Sequence, residues 1–392
     1  LETKLLQSKV QNFINQSINS NIQNLSFKKS PFEDVSMAEL IAQIQAKQKA
    51  REKLPTWYNT SNIIYPQKLS IEQTSSEECA HYKASLISGK SLVDMTGGLG
   101  VDTFYFAQRM DYVFHCEIQA DLSQIAQHNL QQLLISNVTY INEESTAFLK
   151  SKKQCFDFLY LDPARRNQAK EKVFFLSDCT PNVVDNLDIY FQYSNQIMIK
   201  TSPLLDIKSG ISELKFVKQI HIVALQNDVK ELVWILQKDY VGEIELVAVN
   251  IISDAKDIFS VSHSEQVSPQ YSIPQQYLYE PNNAIMKTGK FDSVSNRFQL
   301  NKLHQHTQLY TSDNLISFPG RSFKIEQVIP FNKSTTKTHL QGQKGNVTVR
   351  NFPIKVDEIR KRWKIKEGGE QYFFFTTNWL NEKIILICSK TK

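Results

Sequence analysis

The residues with the clearest chemical potential lie in "VDMTGGLGVDTFYFA", Val93 to Ala107, where Gly97, Gly98 and Gly100 occupy three of four positions between an apolar run and a helix-like run. Glycines remove side-chain bulk, so the backbone can approach a ligand, and the N–H groups of a following helix point outward. The dinucleotide fingerprint G-x-G-x-x-G is not met, because counting from Gly98 brings the last glycine position to Thr103. Charge argues further against a pyrophosphate. Asp94, at the end of the preceding strand, repels phosphate and attracts an ammonium or a sulfonium. Glu117, at the end of the next apolar run "YVFHCE", can accept hydrogen bonds from both hydroxyls of a ribose. S-adenosylmethionine joins an adenosine to a sulfonium and an amino group and satisfies both acids. The loop nominates Asp94, Thr96, Gly97, Gly98, Gly100 and Asp102, with Glu117, as cofactor-binding residues. The plain alternatives are a turn or helix cap for Asp94 and a surface strand end for Glu117.

A second group lies in "FDFLYLDPARR", which puts Asp162 and Pro163 at the end of another apolar run, where open α/β sheets form their ligand crevice. Asp162, Pro163 and Arg165 are the catalytic candidates, and Asp162, beside the crevice, is also a cofactor-binding candidate. Arg165 and Arg166 have the geometry to clamp a phosphate bidentately, or they simply face solvent. Lys200, in "IKTSPLLDI", either contacts substrate or extends its stem from a strand end towards water. Gln73 to Ser76 read as a lid or as helix caps, and Cys179 reads as a structural thiol.

The elements that must position these groups follow from periodicity. From Ser91 onward, short apolar runs alternate with polar helical stretches, the rhythm of an α/β fold with a parallel sheet covered by helices. "VKQIHIVAL" and "ELVWILQ" are separated only by "QNDVK", so the sheet is expected to finish in a hairpin. Upstream, "SMAELIAQIQAKQKAREKL" is a helix with Ser36 as N-cap and Glu39 at capping-box spacing. The expected division is a helical region over 1–54, the α/β domain over 55–242, a small domain over 243–317 and a basic domain over 318–392.

Across 392 residues, with 41% apolar and 22% charged, composition fits folded globular domains. The five cysteines form no C-x-x-C pair and no metal-spaced cluster, so no disulfide framework and no metal are expected. No apolar run spans a membrane, and a cytoplasmic location is the expectation. Charge is uneven: residues 316–392 hold 15 Lys/Arg against 6 Asp/Glu within a chain of net charge +5. Such a basic region favours a polyanion, because bound cations release counterions from phosphates; a solvated basic face is the alternative. Arg350, Arg360 and Arg362, on or beside an expected helix Val356 to Trp363, are the substrate-contact candidates there, with Arg165, Arg166 and Lys200 nearer the glycine loop.

"DMTGGLGVDT" followed by "CEIQADLSQIAQHNL" resembles motif I and the acidic second loop of class I S-adenosylmethionine-dependent methyltransferases. The resemblance implies a Rossmann-like seven-stranded sheet with one reversed strand, Ile118 beside the cofactor, and an adenine contact in Glu143, Glu144 or Ser145, with Glu144 preferred. It also implies that Asp162 and Pro163 stand where the family carries D-P-P-Y, an element in which the acid holds an amine. Here Ala164 and Arg165 replace the second proline and the aromatic, which leaves carbon and oxygen acceptors open. Through "KLPTW", "YPQKLSIEQTSSE", "LDPARR", "KTSPLLDI" and "VRNFPIKVDEIRKRWKIKEGG", nearly the whole chain is similar to a bacterial methyltransferase family with a ferredoxin-like domain and a THUMP-like C-terminal domain. What this implies is methyl transfer to structured RNA. The competing readings are a small-molecule or protein methyltransferase, and a non-catalytic RNA-binding protein that keeps the cofactor fold.

Overall fold

The alternation after Ser91 folds as β1 (Ser91–Asp94), helix Val101–Ala107, β2 (Tyr112–Cys116), helix Ala120–Gln132, β3 (Val138–Ile141), helix Ser145–Ser151, β4 (Phe158–Leu161) and β5 (Gln196–Thr201). These elements come from a computed structural model that describes residues 3–66, 71–165, 175–253 and 255–391. β1 pairs in parallel with β2 and β4, β2 with β3, and β4 with β5. All four residues of β4 are buried, as expected for a strand with both faces covered.

The expected hairpin is β6 (Val217–Leu225) and β7 (Asp228–Gln237). Its two linking residues, Gln226 and Asn227, have φ of 51° and 67°. Positive φ at both central positions matches the twist of a tight two-residue hairpin. β7 runs antiparallel to β5, with Thr201 opposite Leu232 and Gln196 opposite Gln237. The strand order is therefore β6-β7-β5-β4-β1-β2-β3 with β7 reversed. This reversal brings the beginning of β7 level with the carboxyl end of β5.

The chain divides into two compact units, the first running to Ile220 and including Lys230–Gly242, the second comprising His221–Val229 and the residues from Glu243 onward. In the first unit the N-terminal helices pack beside the sheet. Ser36 and Glu39 form the capping box of helix Met37–Lys53. Trp57, Tyr65, Leu99, Phe104 and Leu130 share one apolar cluster. Two buried amides complete the docking: Gln43 bonds both backbone groups of Tyr65, and Asn129 bonds both of Ile64. Each amide supplies the donor and the acceptor that an extended segment needs when it has no partner strand.

In the second unit, β8 (Glu245–Ile252) and β9 (Ala255–Ser262) form an antiparallel pair that continues the sheet beyond β6, so it has nine strands where seven were expected. A separate seven-stranded sheet follows, built from β10 (Tyr277–Pro281), β11 (Asn301–His304), β12 (Thr307–Ser312), β13 (Gly320–Pro330), β14 (Asn346–Val349), β15 (Gln371–Thr377) and β16 (Lys383–Lys390). Its order is β11-β12-β10-β13-β16-β15-β14. Helix Val356–Trp363 covers part of it, burying Ile359 and Trp363 against Phe375 and Ile385. Because β10 pairs with β13, a single sheet threads through the expected 317/318 boundary.

Candidate functional site

The glycine loop leaves β1 with its polar groups spent on holding shape. Asp94 is 1% exposed. One carboxylate oxygen accepts from the Thr103 hydroxyl at 2.6 Å and the other from the Thr96 N–H at 3.1 Å. Burial pushes its pKa up to about 7 against the lowering effect of these bonds. The Thr103 hydroxyl also lies 2.9 Å from His115 Nδ1. While Asp94 is ionised it takes the one Thr103 proton, and His115 then donates from Nδ1. Burial pulls His115 down to about 4 and keeps it neutral. Gly97 is required by this packing, because a Cβ there would come within 2.2 Å of the His115 ring.

Gly98, at φ +56°, donates its N–H to Glu117 Oε2 at 3.1 Å, while Glu117 Oε1 accepts from the Gln119 N–H at 2.9 Å. A Cβ on Gly98 would meet only the Thr96 carbonyl within 4 Å, so space is open over this peptide. Gly100, at φ +84°, is the N-cap of helix Val101–Ala107. Ile118, next to Glu117, is 68% exposed and presents an apolar surface beside that carboxylate. Glu144 caps helix Ser145–Ser151 instead of standing free: its two oxygens accept from the N–H groups of Thr146 and Ala147 at 2.9 and 2.8 Å.

Asp102 belongs to an ion network that motif reading did not find. Its carboxylate meets Lys83 Nζ at 3.1 Å and accepts from the hydroxyls of Ser75 and Tyr160 at 2.9 and 2.7 Å. Lys83, with no exposed side-chain area, also donates to both oxygens of Glu231 at 2.9 Å and to Ser75. Burial works against the Lys83 ammonium, but Asp102 and Glu231 overcome it and hold its pKa above the ordinary lysine value. Burial would raise Asp102, and Lys83 and Lys200 hold it low. Burial followed by the surrounding acids drives the Tyr160 phenol far above its usual range. The sequence signal for Lys83 was its place among Cys79, Ala80 and Ala84 on the buried face of helix Glu77–Ser85. Ser76 caps that helix, and Ser75 is absorbed by the network.

Asp162 stands at the end of β4, its N–H donated to the Thr96 hydroxyl at 2.7 Å and its Oδ2 2.6 Å from Lys200 Nζ. Lys200 is thus paired with Asp162, not stretched alone towards water. The side chains are 33% and 15% exposed, so this pair marks the rim of the buried network. Pro163 is buried and Ala164 exposed. The backbone of Arg165 pairs with Cys179, whose side chain is buried, and Arg166 lies outside the described residues. No cluster of three or more metal-ligating side chains occurs among the described residues, and none of their helices is long and apolar enough to cross a membrane.

The basic candidates of the second unit are mostly engaged within it. Arg350 pairs at 2.6 Å with Glu280, which is buried and also pairs with Arg321. This trio borders a cavity of about 450 Å³ that Asn227, Asn250 and Asp257 also line. Arg360 pairs with Glu367 at 2.9 Å, and the Arg362 guanidinium lies over the Trp363 ring at 4.9 Å.

Residues 277–319 match a ferredoxin-like domain family and residues 320–390 match a THUMP domain-like family. The chain carries a THUMP-like domain. A solved candidate methyltransferase from Porphyromonas gingivalis W83 aligns with 100% of this chain and 99% of its own, at 29% identity and a TM-score of 0.88. An rRNA methylase from Streptococcus thermophilus aligns with 41% of this chain and 95% of its own, at 14% identity and a TM-score of 0.30. A Pyrococcus abyssi tRNA (uracil-54, C5)-methyltransferase crystallised with S-adenosyl-L-homocysteine aligns over 41% of this chain and 37% of its own, at 19% identity and a TM-score of 0.31. No curated protein matches in sequence.

Proposed function

We propose that this chain is an S-adenosylmethionine-dependent methyltransferase acting on structured RNA. The observation that carries the reading is the corner where Glu117 receives the Gly98 N–H beside open space, with apolar Ile118 exposed next to it and the Asp162–Lys200 pair at the neighbouring strand end. These residues fit the group: Glu117 for ribose hydroxyls, Ile118 for the flat face of adenine, and the loop from Thr96 to Gly100 for the amino-acid end. When bound, the sulfonium supplies an electrophilic methyl group. The full-length likeness to the candidate methyltransferase of P. gingivalis supports the enzyme class. The THUMP-like match and the basic excess of residues 316–392 support RNA as partner, with Arg362 and the outer faces of Arg321 and Arg350 offered to phosphates.

Calorimetry with S-adenosylhomocysteine tests the cofactor directly. Glu117→Ala is expected to weaken binding roughly tenfold, through loss of one charge-assisted pair of hydrogen bonds. Unchanged affinity in that variant removes the assignment. Binding of a folded RNA should fall steeply and linearly on a log–log plot against salt. A flat salt dependence removes RNA as partner.

A further inference from the structure

The acceptor side of the site is written in charge, and its pattern is specific. Five ionic groups are linked in two contacting sets: Lys83 with Asp102 and Glu231, and Lys200 with Asp162. Lys200 feels the charges of Lys83, Glu231 and Asp102 as well as its own partner, so the two sets form one electrostatic unit of net charge −1. The Asp162–Lys200 end is the most open, Asp162 33% and Lys200 15% exposed, while Asp102 is 11% exposed and Lys83 and Glu231 are buried. An incoming molecule therefore meets an ammonium and a carboxylate side by side, backed by a buried ion pair.

That pair discriminates between acceptor atoms. A base nitrogen that attacks through its lone pair would find the Lys200 ammonium competing for that lone pair. An exocyclic amine needs acceptors for its two N–H groups and an aromatic surface to orient its ring, yet Pro163 is followed by the exposed methyl of Ala164. A hydroxyl fits both partners, because its oxygen accepts from Lys200 while its proton faces Asp162. The second oxygen of Asp162 has no protein hydrogen-bond donor among the described residues. Building on the function proposed above, we infer that the methyl acceptor is a ribose hydroxyl of RNA, with Asp162 and Lys200 as the residues that activate it.

The step balances with a sulfonium methyl donor. The hydroxyl proton passes to Asp162 as an oxygen lone pair forms the new bond to the methyl carbon. The bond from that carbon to sulfur breaks and its electron pair stays on sulfur, leaving a neutral thioether. Lys200 remains an ammonium and stabilises the negative charge that develops on oxygen. Asp162 then loses its proton to solvent. Lys83 and Glu231 touch neither reactant and act as positioning residues for Lys200.

The test uses the full chain, a tritium-labelled sulfonium donor and total RNA from cells in which the gene has been deleted. Alkali cleaves RNA through its free 2′-hydroxyl, so methylation there leaves labelled, alkali-stable dinucleotides. That product is the expected result. Label in base-methylated nucleosides overturns the acceptor assignment and leaves the RNA methyltransferase reading standing. No label in RNA from protein that binds S-adenosylhomocysteine overturns both. Lys200→Met and Asp162→Asn are expected to lower the turnover rate by roughly 10²-fold or more, with S-adenosylhomocysteine affinity by calorimetry within about twofold of the unaltered chain. Lys200→Arg keeps the charge and is expected to recover part of the rate. A tenfold loss of S-adenosylhomocysteine affinity in Lys200→Met would place the pair on the cofactor and overturn the inference.

Discussion

Around Lys83 one fully buried ammonium serves two carboxylates, whereas around Glu280 one buried carboxylate serves two guanidinium groups that are 40% and 38% exposed. Both clusters join residues far apart in sequence, but they solve the desolvation problem differently. Lys83 has lost all its water and recovers its solvation from Asp102, Glu231 and Ser75. Its attraction to those groups is barely screened, and removing any one leaves a stranded charge. Arg321 and Arg350 keep one face wet, so each planar fork can hold Glu280 and still offer N–H groups outward. A closed cluster fixes geometry, and an open one leaves capacity for a ligand.

The sharpest way to break the comparison is Lys83→Met. It leaves Glu231 and Asp102 buried without their cation and is expected to cost about 3–5 kcal/mol in urea denaturation. The pair Lys83→Met with Glu231→Leu should recover part of that loss. If the single variant costs under about 1 kcal/mol, the cluster is as well hydrated as the open one.

Asp94 sharpens the contrast from another side, as a buried carboxylate in the first unit that bonds hydroxyl and amide but pairs with no cation among the described residues. Its folded pKa of about 7 lies above the ordinary value of 3.8. The folded state therefore holds the proton more tightly, and this contribution to stability is complete below about pH 4 and lost as pH rises through 7. Against Asp94→Asn, the unaltered chain should lose up to about 4 kcal/mol of relative stability between pH 4 and pH 8. A constant gap between the two urea curves would show that Asp94 titrates as an ordinary acid. The smallest effect is expected at the open cluster. Glu280→Gln keeps the shape but removes the charge, and the solvent-screened arginines limit the loss to about 1–2 kcal/mol. A loss equal to that of Lys83→Met would show that exposure of the arginines does not relieve the cluster.

Much of the local structure was legible in residue order. The Ser36–Glu39 capping box, helix Val356–Trp363 and the hairpin at "QNDVK" follow from short-range signals, and each forms where those signals lie. The glycine loop was equally readable, since the need for backbone space at Gly97 and for positive φ at Gly98 and Gly100 leaves a visible mark. The partners of the acids were not readable. Asp94 read as an acid facing a cation or as a turn cap, and its oxygens bind Thr103 and Thr96; Glu144 read as an adenine contact, and its oxygens cap a helix. A carboxylate is defined by what surrounds it in three dimensions, and a motif records only what precedes and follows it.

Residue order alone determined the α/β alternation, the glycine corner with Glu117 at the next strand end, and the concentration of positive charge after residue 316, because these depend on local periodicity and on composition. Only the tertiary structure decided that Lys83, Asp102 and Glu231 share one buried site and that Asp162 is held by Lys200. The physical reason is strand direction. Since β7 runs against its neighbour, Glu231 near its beginning arrives at the edge where β4 and β5 end, a placement that no spacing along the chain encodes.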